Sequence, residues 1–417
     1  MEKKYATMPV RNKKIVSPLA AIILTVFLDM LGVGIIIPVM PALFFQPDSS
    51  ILPEMASETY RSVMFGLLVG CYPLMQFFGA PILGALSDRY GRKPTLILSI
   101  IGVFAGYLFF AWAIIIKSLW LLFFSRLLPG FAGGNVSIAM SAISDISEKQ
   151  EKTKNFGLAG MAFGIGFILG PALGGFLGDN TIVSWFRSDT PFWFAAILAF
   201  VNLIVVYFFF SETIKNKQES EFSLFMALRN IVYSFSMPDL RGTFTVVLLL
   251  SIGFSLFTQF YAVFLIQKFA FSEMDIGLLY CWIGLWFAIT QGGIVRILAD
   301  RFRPQKLLTI CVLLLGFSLL AVLLPSKSSW LYLISPFIAI FQGIIMPNLA
   351  TVVSSKAGEE RQGEMLGINQ SMQSLGEVIP PFIAGTLFAI NYNIPFITAS
   401  LLIFIGWAIF LRINRKF

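Results

Sequence analysis

Apolar residues run through this chain in long stretches, broken at intervals by short clusters of charge, proline and glycine. Twelve such stretches are legible, at about 17–45, 61–86, 94–116, 119–145, 154–178 and 190–211, then 241–267, 275–298, 306–325, 329–353, 362–390 and 394–412. Crossing a bilayer takes roughly 20 apolar residues in a helix. In lipid, only a helix or a closed barrel satisfies the backbone. The pattern therefore predicts an all-α polytopic membrane protein with twelve transmembrane helices. The longest hydrophilic interruption, Glu212–Arg241, separates the sixth stretch from the seventh and includes an amphipathic segment, Phe222–Phe235, expected along the membrane surface. The chain divides into a six-helix half at 1–211, a linker at 212–240 and a second six-helix half at 241–417.

Composition narrows the class. Of 417 residues, 57% are hydrophobic and only 12% charged, where soluble domains carry about 25% charged residues. That excludes a soluble enzyme, a disordered chain and a protein with a single anchor. The net charge of +8 would suggest nucleic acid in a soluble chain, but membrane proteins collect Lys and Arg on cytoplasmic loops, so no nucleic-acid partner is expected. With the N-terminus placed in the cytoplasm, 24 basic residues fall inside and five outside (Arg61, Lys117, Arg187, Lys268 and Lys327), leaving Arg126 within a span. This bias predicts a multi-pass protein of the cytoplasmic (inner) membrane with both termini inside. The apolar run after the basic N-terminus is too long for a signal peptide and lacks a small-residue cleavage site, so it is expected to stay as the first helix.

Chemistry is limited in the same way. The chain has no histidine, and Cys71, Cys281 and Cys311 lie in apolar stretches at no metal-ligand spacing. No metal, no cofactor and no catalytic constellation is expected. There is also no Gly-x-x-x-x-Gly-Lys-Ser/Thr loop for ATP, so neither an enzyme nor an ATP-driven pump is indicated.

A weak repeat links the halves. The loop after the second stretch reads Asp88-Arg89-Tyr90-Gly91-Arg92-Lys93-Pro94, and the loop after the eighth reads Asp300-Arg301-Phe302-Arg303-Pro304. Their equivalent positions fit two pseudo-symmetric halves related by an axis along the membrane normal, with the substrate site between them near the midplane.

The stretch Gly84-Ala-Leu-Ser-Asp88-Arg89-Tyr90-Gly91-Arg92-Lys93 closely resembles the signature loop of the major facilitator superfamily. In the fifth stretch, Gly157, Gly166, Gly170, Pro171, Gly174 and Gly175 have the spacing of the antiporter motif of drug:proton exporters. Gly166, Gly170, Gly174 and Gly178 also form a groove suited to ordinary tight helix packing. Leu28-Asp29-Met30-Leu31-Gly32-Val33-Gly34 is similar to the first helix of the twelve-helix drug:proton antiporters, tetracycline exporters in particular. Arg126-Leu-Leu-Pro-Gly130 resembles their buried-arginine motif, and Ser211-Glu212-Thr213 their Pro-Glu-Thr boundary with Ser replacing Pro. The resemblance implies the major facilitator fold. It also implies a gating role for Gly84, Asp88, Arg89, Arg92, Asp300 and Arg301, in which the Asp88 cluster latches the halves on the cytoplasmic side. From the residues alone, Gly84 permits close helix approach and Asp88 is placed to face the positive N-terminal end of a neighbouring helix.

Three charged residues lie deep within the stretches: Asp29, Arg126 and Glu377. Each costs at least a few kcal/mol in a bilayer, which makes it a functional candidate. Asp29 and Arg126 are expected to approach one another, either as a packing ion pair or as a proton-coupling pair. Glu377 is a second proton site or a ligand for a cationic compound. Weaker candidates for the substrate cavity are Gln259, Tyr261, Trp282, Trp286, Gln342, Asn348, Asn369 and Gln373. The function expected is proton-coupled antiport of a small amphiphilic or cationic compound by alternating access, by a monomer in the lipid bilayer. The alternative on the same scaffold is a proton-coupled importer of a nutrient, metabolite or siderophore.

Overall fold

The structure, a computed structural model, describes residues 18–46, 51–147, 152–214, 226–237, 240–356 and 362–414. The basic residues of the N-terminus, Lys149, Lys215, Lys217, Arg361, Arg415, Lys416 and the start of the amphipathic segment lie outside them. Among the described residues the chain is all helix. The first half consists of α1 (Pro18–Phe45), α2 (Glu58–Tyr90), α3 (Arg92–Ile115), α4 (Leu119–Ala132), α5 (Asn135–Ile146), α6 (Lys152–Gly178) and α7 (Thr190–Phe209). A short helix, α8 (Met226–Ser236), occupies the linker. The second half contains α9 (Arg241–Phe269), α10 (Glu273–Ile289), α11 (Val295–Ala299), α12 (Pro304–Ala321), α13 (Leu331–Lys356), α14 (Gln362–Ile390) and α15 (Ile394–Asn414). Among the described residues twelve spans are long and apolar enough to cross a membrane, with α4 and α5 sharing one and α10 and α11 another.

Two spans depart from simple helices. The fourth breaks at Gly133–Gly134, and the freed carbonyls find donors: Gln76 Nε2 bonds the Gly133 carbonyl at 3.0 Å, and Ser99 Oγ bonds that of Ala132. The eighth passes through a π-helical turn at Thr290–Ile294 between α10 and α11, where Thr290 Oγ1 bonds back to Trp286 and Gln291 Nε2 reaches Gly343 on α13 at 3.2 Å. Such turns recur where a helix must yield. On α8, Val232, Tyr233 and Phe235 are exposed while Ser234 is buried against Met372 of α14.

The neighbour pattern repeats. In the first half α1 packs on α6, and α3 on α4 and α7; in the second α9 packs on α14, and α12 on α13 and α15. Between the halves run two seams, α6 against α10 and α2 against α14. Both are built from small residues, because close backbone approach supplies the packing that lipid does not drive. Gly175 and Pro171 of α6 meet Glu273 and Gly277 of α10, and Gly66 and Ser62 of α2 meet Pro381 and Gly385 of α14.

The seams are shut at one end only. Away from the Asp88 loop, Phe65 stands edge-on to Phe260 at 5.3 Å, and Gln46 Nε2 donates to the Phe271 carbonyl at 3.2 Å. Toward the Asp88 loop, the same helix faces continue through Gly164, Gly160 and Gly157 on α6 and Gly84 on α2, and none has an atom within 4 Å of where a Cβ would stand. The hydrophobic core follows suit: one cluster runs through both halves, and a second, with Ile22, Leu96, Ile143 and Phe210, belongs to the first half alone. The molecule is open at its basic end and sealed at its far end.

Candidate functional site

Deep in the first half, Asp29 (α1), Tyr72 and Gln76 (α2), Tyr107 (α3), Arg126 (α4) and Asn135 (α5) line one cavity of about 70 Å³. Local structure delivers them. Ser118 caps α4, its Oγ accepting the Leu121 amide at 3.4 Å, and so sets the helix that carries Arg126. The break at Gly133–Gly134 restarts the span at Asn135, which lines the cavity with Asp29 and whose Oδ1 accepts from the Val136 amide at 3.0 Å.

Asp29 and Arg126 share the cavity as expected, but they form no ion pair. Among the described residues no salt bridge includes Asp29, Arg126 or Glu377. Arg126, only 9% exposed, lies over the Tyr72 ring with Cζ 4.8 Å from the centroid. Its Nε and the Asp29 Oδ2 are buried without hydrogen-bond partners. A cation–π contact is worth about 0.5–2 kcal/mol, whereas an unpaired buried charge costs several. Neither group is therefore neutralised by pairing with the other.

Tyr72 is within electrostatic reach of Asp29, Arg126 and Glu377 alike. Glu377, on α14, is surrounded by protein at its depth yet has an exposed side chain, the signature of a group on the wall of an open central cavity. Gln373, one turn away, is half-buried with Nε2 3.7 Å from Met346 Sδ, and Gln259 is also half-buried.

The other cavity candidates divide. Tyr261 is a core residue, not a cavity residue: it is 1% exposed, stacked on Phe257 at 4.7 Å, with its hydroxyl 3.4 Å from Ser335 Oγ. That hydroxyl partner is what lets the ring be buried. Asn348 spends its amide on the Ile344 carbonyl of its own helix at 2.7 Å, and Gln342 is buried. Trp282 donates to the Tyr332 carbonyl at 2.8 Å and meets Trp286 edge-on. The Trp286 Nε1 and the Asn369 Oδ1 are buried without partners.

At the basic end Arg92 organises a charge cluster. Its guanidinium meets Asp88 at 2.5 Å and Asp145 at 2.9 Å, and Ser87 Oγ accepts from it at 2.6 Å. The N-terminus of α3 is occupied by Glu212, which accepts from the Arg92 and Lys93 amides at 2.9 and 3.1 Å. Asp88, expected to face the N-terminal end of a neighbouring helix, pairs with Arg92, and the orphan amides at the start of α3 are satisfied by Glu212. Partial burial pushes the Glu212 carboxyl up, but amide donors from Ile214, Arg92, Lys93 and Thr213 outweigh it and hold the group below the ordinary carboxylate range. Every described partner in the cluster belongs to the first half or to the start of the linker, and none to the second half, so the latch expected across the halves is not engaged. Gly84 likewise makes no close approach, Arg89 rests on its neighbour Tyr90, and Asp300 and Arg301 are exposed. All these features accord with an open basic end.

The antiporter-motif glycines serve two seams. Gly166, Gly170 and Gly174 press on the α1 backbone between Phe27 and Ile35, Pro171 and Gly175 press on α10, and Gly157 is uncovered. Tyr72, Gln76, Tyr107, Asn135 and Asp145 were not anticipated. Two signals were available for some of them: Tyr72 and Gln76 stand one turn apart on α2, and Asn135 is an amide inside an apolar span.

The family model described as Major Facilitator Superfamily matches residues 22–381 and, in a second overlapping match, 297–416. The tetracycline resistance protein, class B, of Escherichia coli is 31% identical over 396 residues, covering 93% of this chain and 90% of that protein. Multidrug resistance protein 1 of Bacillus subtilis (strain 168) is 28% identical over 415 residues, covering 98% of this chain and 96% of the relative. Among solved structures, that of a D-xylose-proton symporter superposes with a TM-score of 0.73 at 17% identity, over 95% of this chain and 98% of its own.

Proposed function

This chain belongs to the major facilitator superfamily, whose members are transporters, and from that premise we propose that it exports a small amphiphilic or cationic compound from the cytoplasm in exchange for protons. The observation that carries the proposal is the buried cavity holding Asp29, Arg126 and Tyr72 together without an Asp29–Arg126 ion pair. The affinity of a carboxyl for a proton depends on its hydration and on its distance from a cation. Both change at Asp29 when one end of the bundle opens and the other closes. With no histidine in the chain, Asp29 carries the proton, Arg126 tunes it through Tyr72, and Glu377 faces them from the second half as a ligand for a cationic substrate or a second proton site. Relatives named for tetracycline and multidrug resistance favour export. The fold is shared with a proton symporter and is neutral on direction.

The excess of basic residues around the Asp88 loop supports a cytoplasmic location for that end, with both termini on the cytoplasmic side of the membrane. The conformation is then inward-open. One chain supplies both walls of the pathway, so a monomer suffices.

Everted membrane vesicles with an acid interior and a pH-sensitive dye test the proposal. A compound panel added outside should contain members that discharge the gradient in vesicles bearing this chain and not in controls. Uptake of substrate without proton release would overturn antiport.

A further inference from the structure

A second carboxyl is buried at the far end, remote from the Asp29 cavity. Glu273 is the first residue of α10, only 6% exposed. It sits in the α6–α10 seam, where Gly175 packs on its backbone and Gly178 on its carboxylate. Ser188, on the first-half turn that follows α6, donates to its Oε1 at 3.2 Å. The other oxygen, Oε2, is buried with no hydrogen-bond partner. The carboxyl forms part of the wall of a cavity of about 550 Å³ at that end.

The groups facing Glu273 do not neutralise it. Asp179 and Asp189 are acids, and Arg187 pairs with Asp189 at 3.1 Å. Lys117, the other cation of the wall, forms no salt bridge with Glu273 among the described residues. On its own helix, Asp275 is tied to Ser272 in a capping box. A carboxylate at a helix N-terminus is ordinary when water reaches it. One sealed in a seam with an unpartnered oxygen is not, and a neutral acid removes the conflict.

We propose that Glu273 is a proton-binding site of the far seam, and that its protonation is needed for α10 to close on α6 and the Ser188 turn. When the seam opens, water and the N-terminus of α10 stabilise the anion and the proton leaves to the side from which it came. Glu273 thus carries nothing across. It makes closure of this end responsive to proton concentration on that side, which is the outer side if the orientation given above holds.

The test uses the full chain in lipid nanodiscs, with Cys71, Cys281 and Cys311 replaced by alanine and spin labels at Ser184 and Ser329, both exposed at the far end. Asp29→Asn and Glu377→Gln are included to remove the pH response of the central cavity. Distances measured from about pH 5 to about pH 9 should show the closed population growing as pH falls. Adding Glu273→Gln should abolish that dependence and leave the seam closed throughout, while Glu273→Asp should retain a dependence. Ser188→Ala, which loses only the hydrogen bond, should keep the dependence and move its midpoint to lower pH. A Glu273→Gln profile superimposable on its parent, or a seam that stays open, would overturn the proposal. No substrate enters this measurement, so an antiport assay that fails leaves its outcome independent.

Discussion

The guanidinium of Arg126 stands 4.8 Å from the centre of the Tyr72 ring, while the Asp29 carboxyl lies in the same cavity beside Asn135. The guanidinium and the carboxyl share a pocket without pairing, and the guanidinium lies on the aromatic ring. Tyr72 lies on α2, which also packs across the seam on α14, the helix of Glu377. Movement of α2 against α14 therefore reaches the charges of both halves through one ring.

Removing that ring should uncouple the cavity. Tyr72→Leu deletes a contact worth about 0.5–2 kcal/mol and frees Arg126 to collapse onto Asp29. Proton-driven transport should fall several-fold with the amount of folded protein unchanged. Tyr72→Phe keeps the ring face and should transport nearly as the parent. Equal losses in the two variants, measured in everted vesicles, would assign the hydroxyl and not the ring.

Asp29→Asn fixes a neutral side chain at the proposed proton carrier. Substrate should still bind and exchange downhill, but accumulation against a gradient should stop. Glu377→Gln should weaken cationic compounds selectively and spare neutral ones. If Asp29→Asn still concentrates substrate, Glu377 becomes the carrier.

Much of this arrangement was legible in the chain. Long apolar runs predict spans because lipid leaves the backbone no alternative, and Asp29, Arg126 and Glu377 stand out because charge is costly there. What was not legible depends on packing. Tyr72, Asn135 and Arg126 meet only through the crossing of three helices and the break at Gly133–Gly134. Tyr261 reads as a polar aromatic for a cavity, but Ser335, 74 residues on, satisfies its hydroxyl inside the core. Which end is open has no sequence signal at all, because one sequence must build both states.

Glu212 makes a prediction in pH. Its carboxyl is held below the ordinary range by the amides it caps, so its contribution to stability is present above the unfolded value of about 4.3 and is lost as pH falls through the folded one. Losing a cap costs about 1 kcal/mol, less here because the side chain is exposed. Glu212→Gln should therefore melt lower than the parent at pH 7, and the gap should close below about pH 4. Tryptophan fluorescence in detergent reads this directly. A gap independent of pH would mean that the charge contributes nothing.

The antiporter-motif helix should split into two kinds of glycine. A Cβ at Gly170 would stand 2.6 Å from the Leu31 carbonyl and 2.7 Å from Gly34 Cα, both backbone atoms. The α1–α6 crossing has no flexible side chain to yield, and overpacking of this kind costs about 1–3 kcal/mol. Gly170→Ala should lower the melting temperature by several degrees whatever the conformation. Gly164 lies on the same helix, on the face that meets α10 through Ile168 and Pro171, and has nothing within 4 Å. Gly164→Leu should therefore leave the melting temperature unchanged. It fills the space that α10 must enter when the basic end closes, so it should hold that end open, retain substrate binding and abolish transport. Spin labels across the basic end would then report a single long distance. If Gly164→Leu transports normally, α6 and α10 do not close along this face, and the seam must seal by another movement.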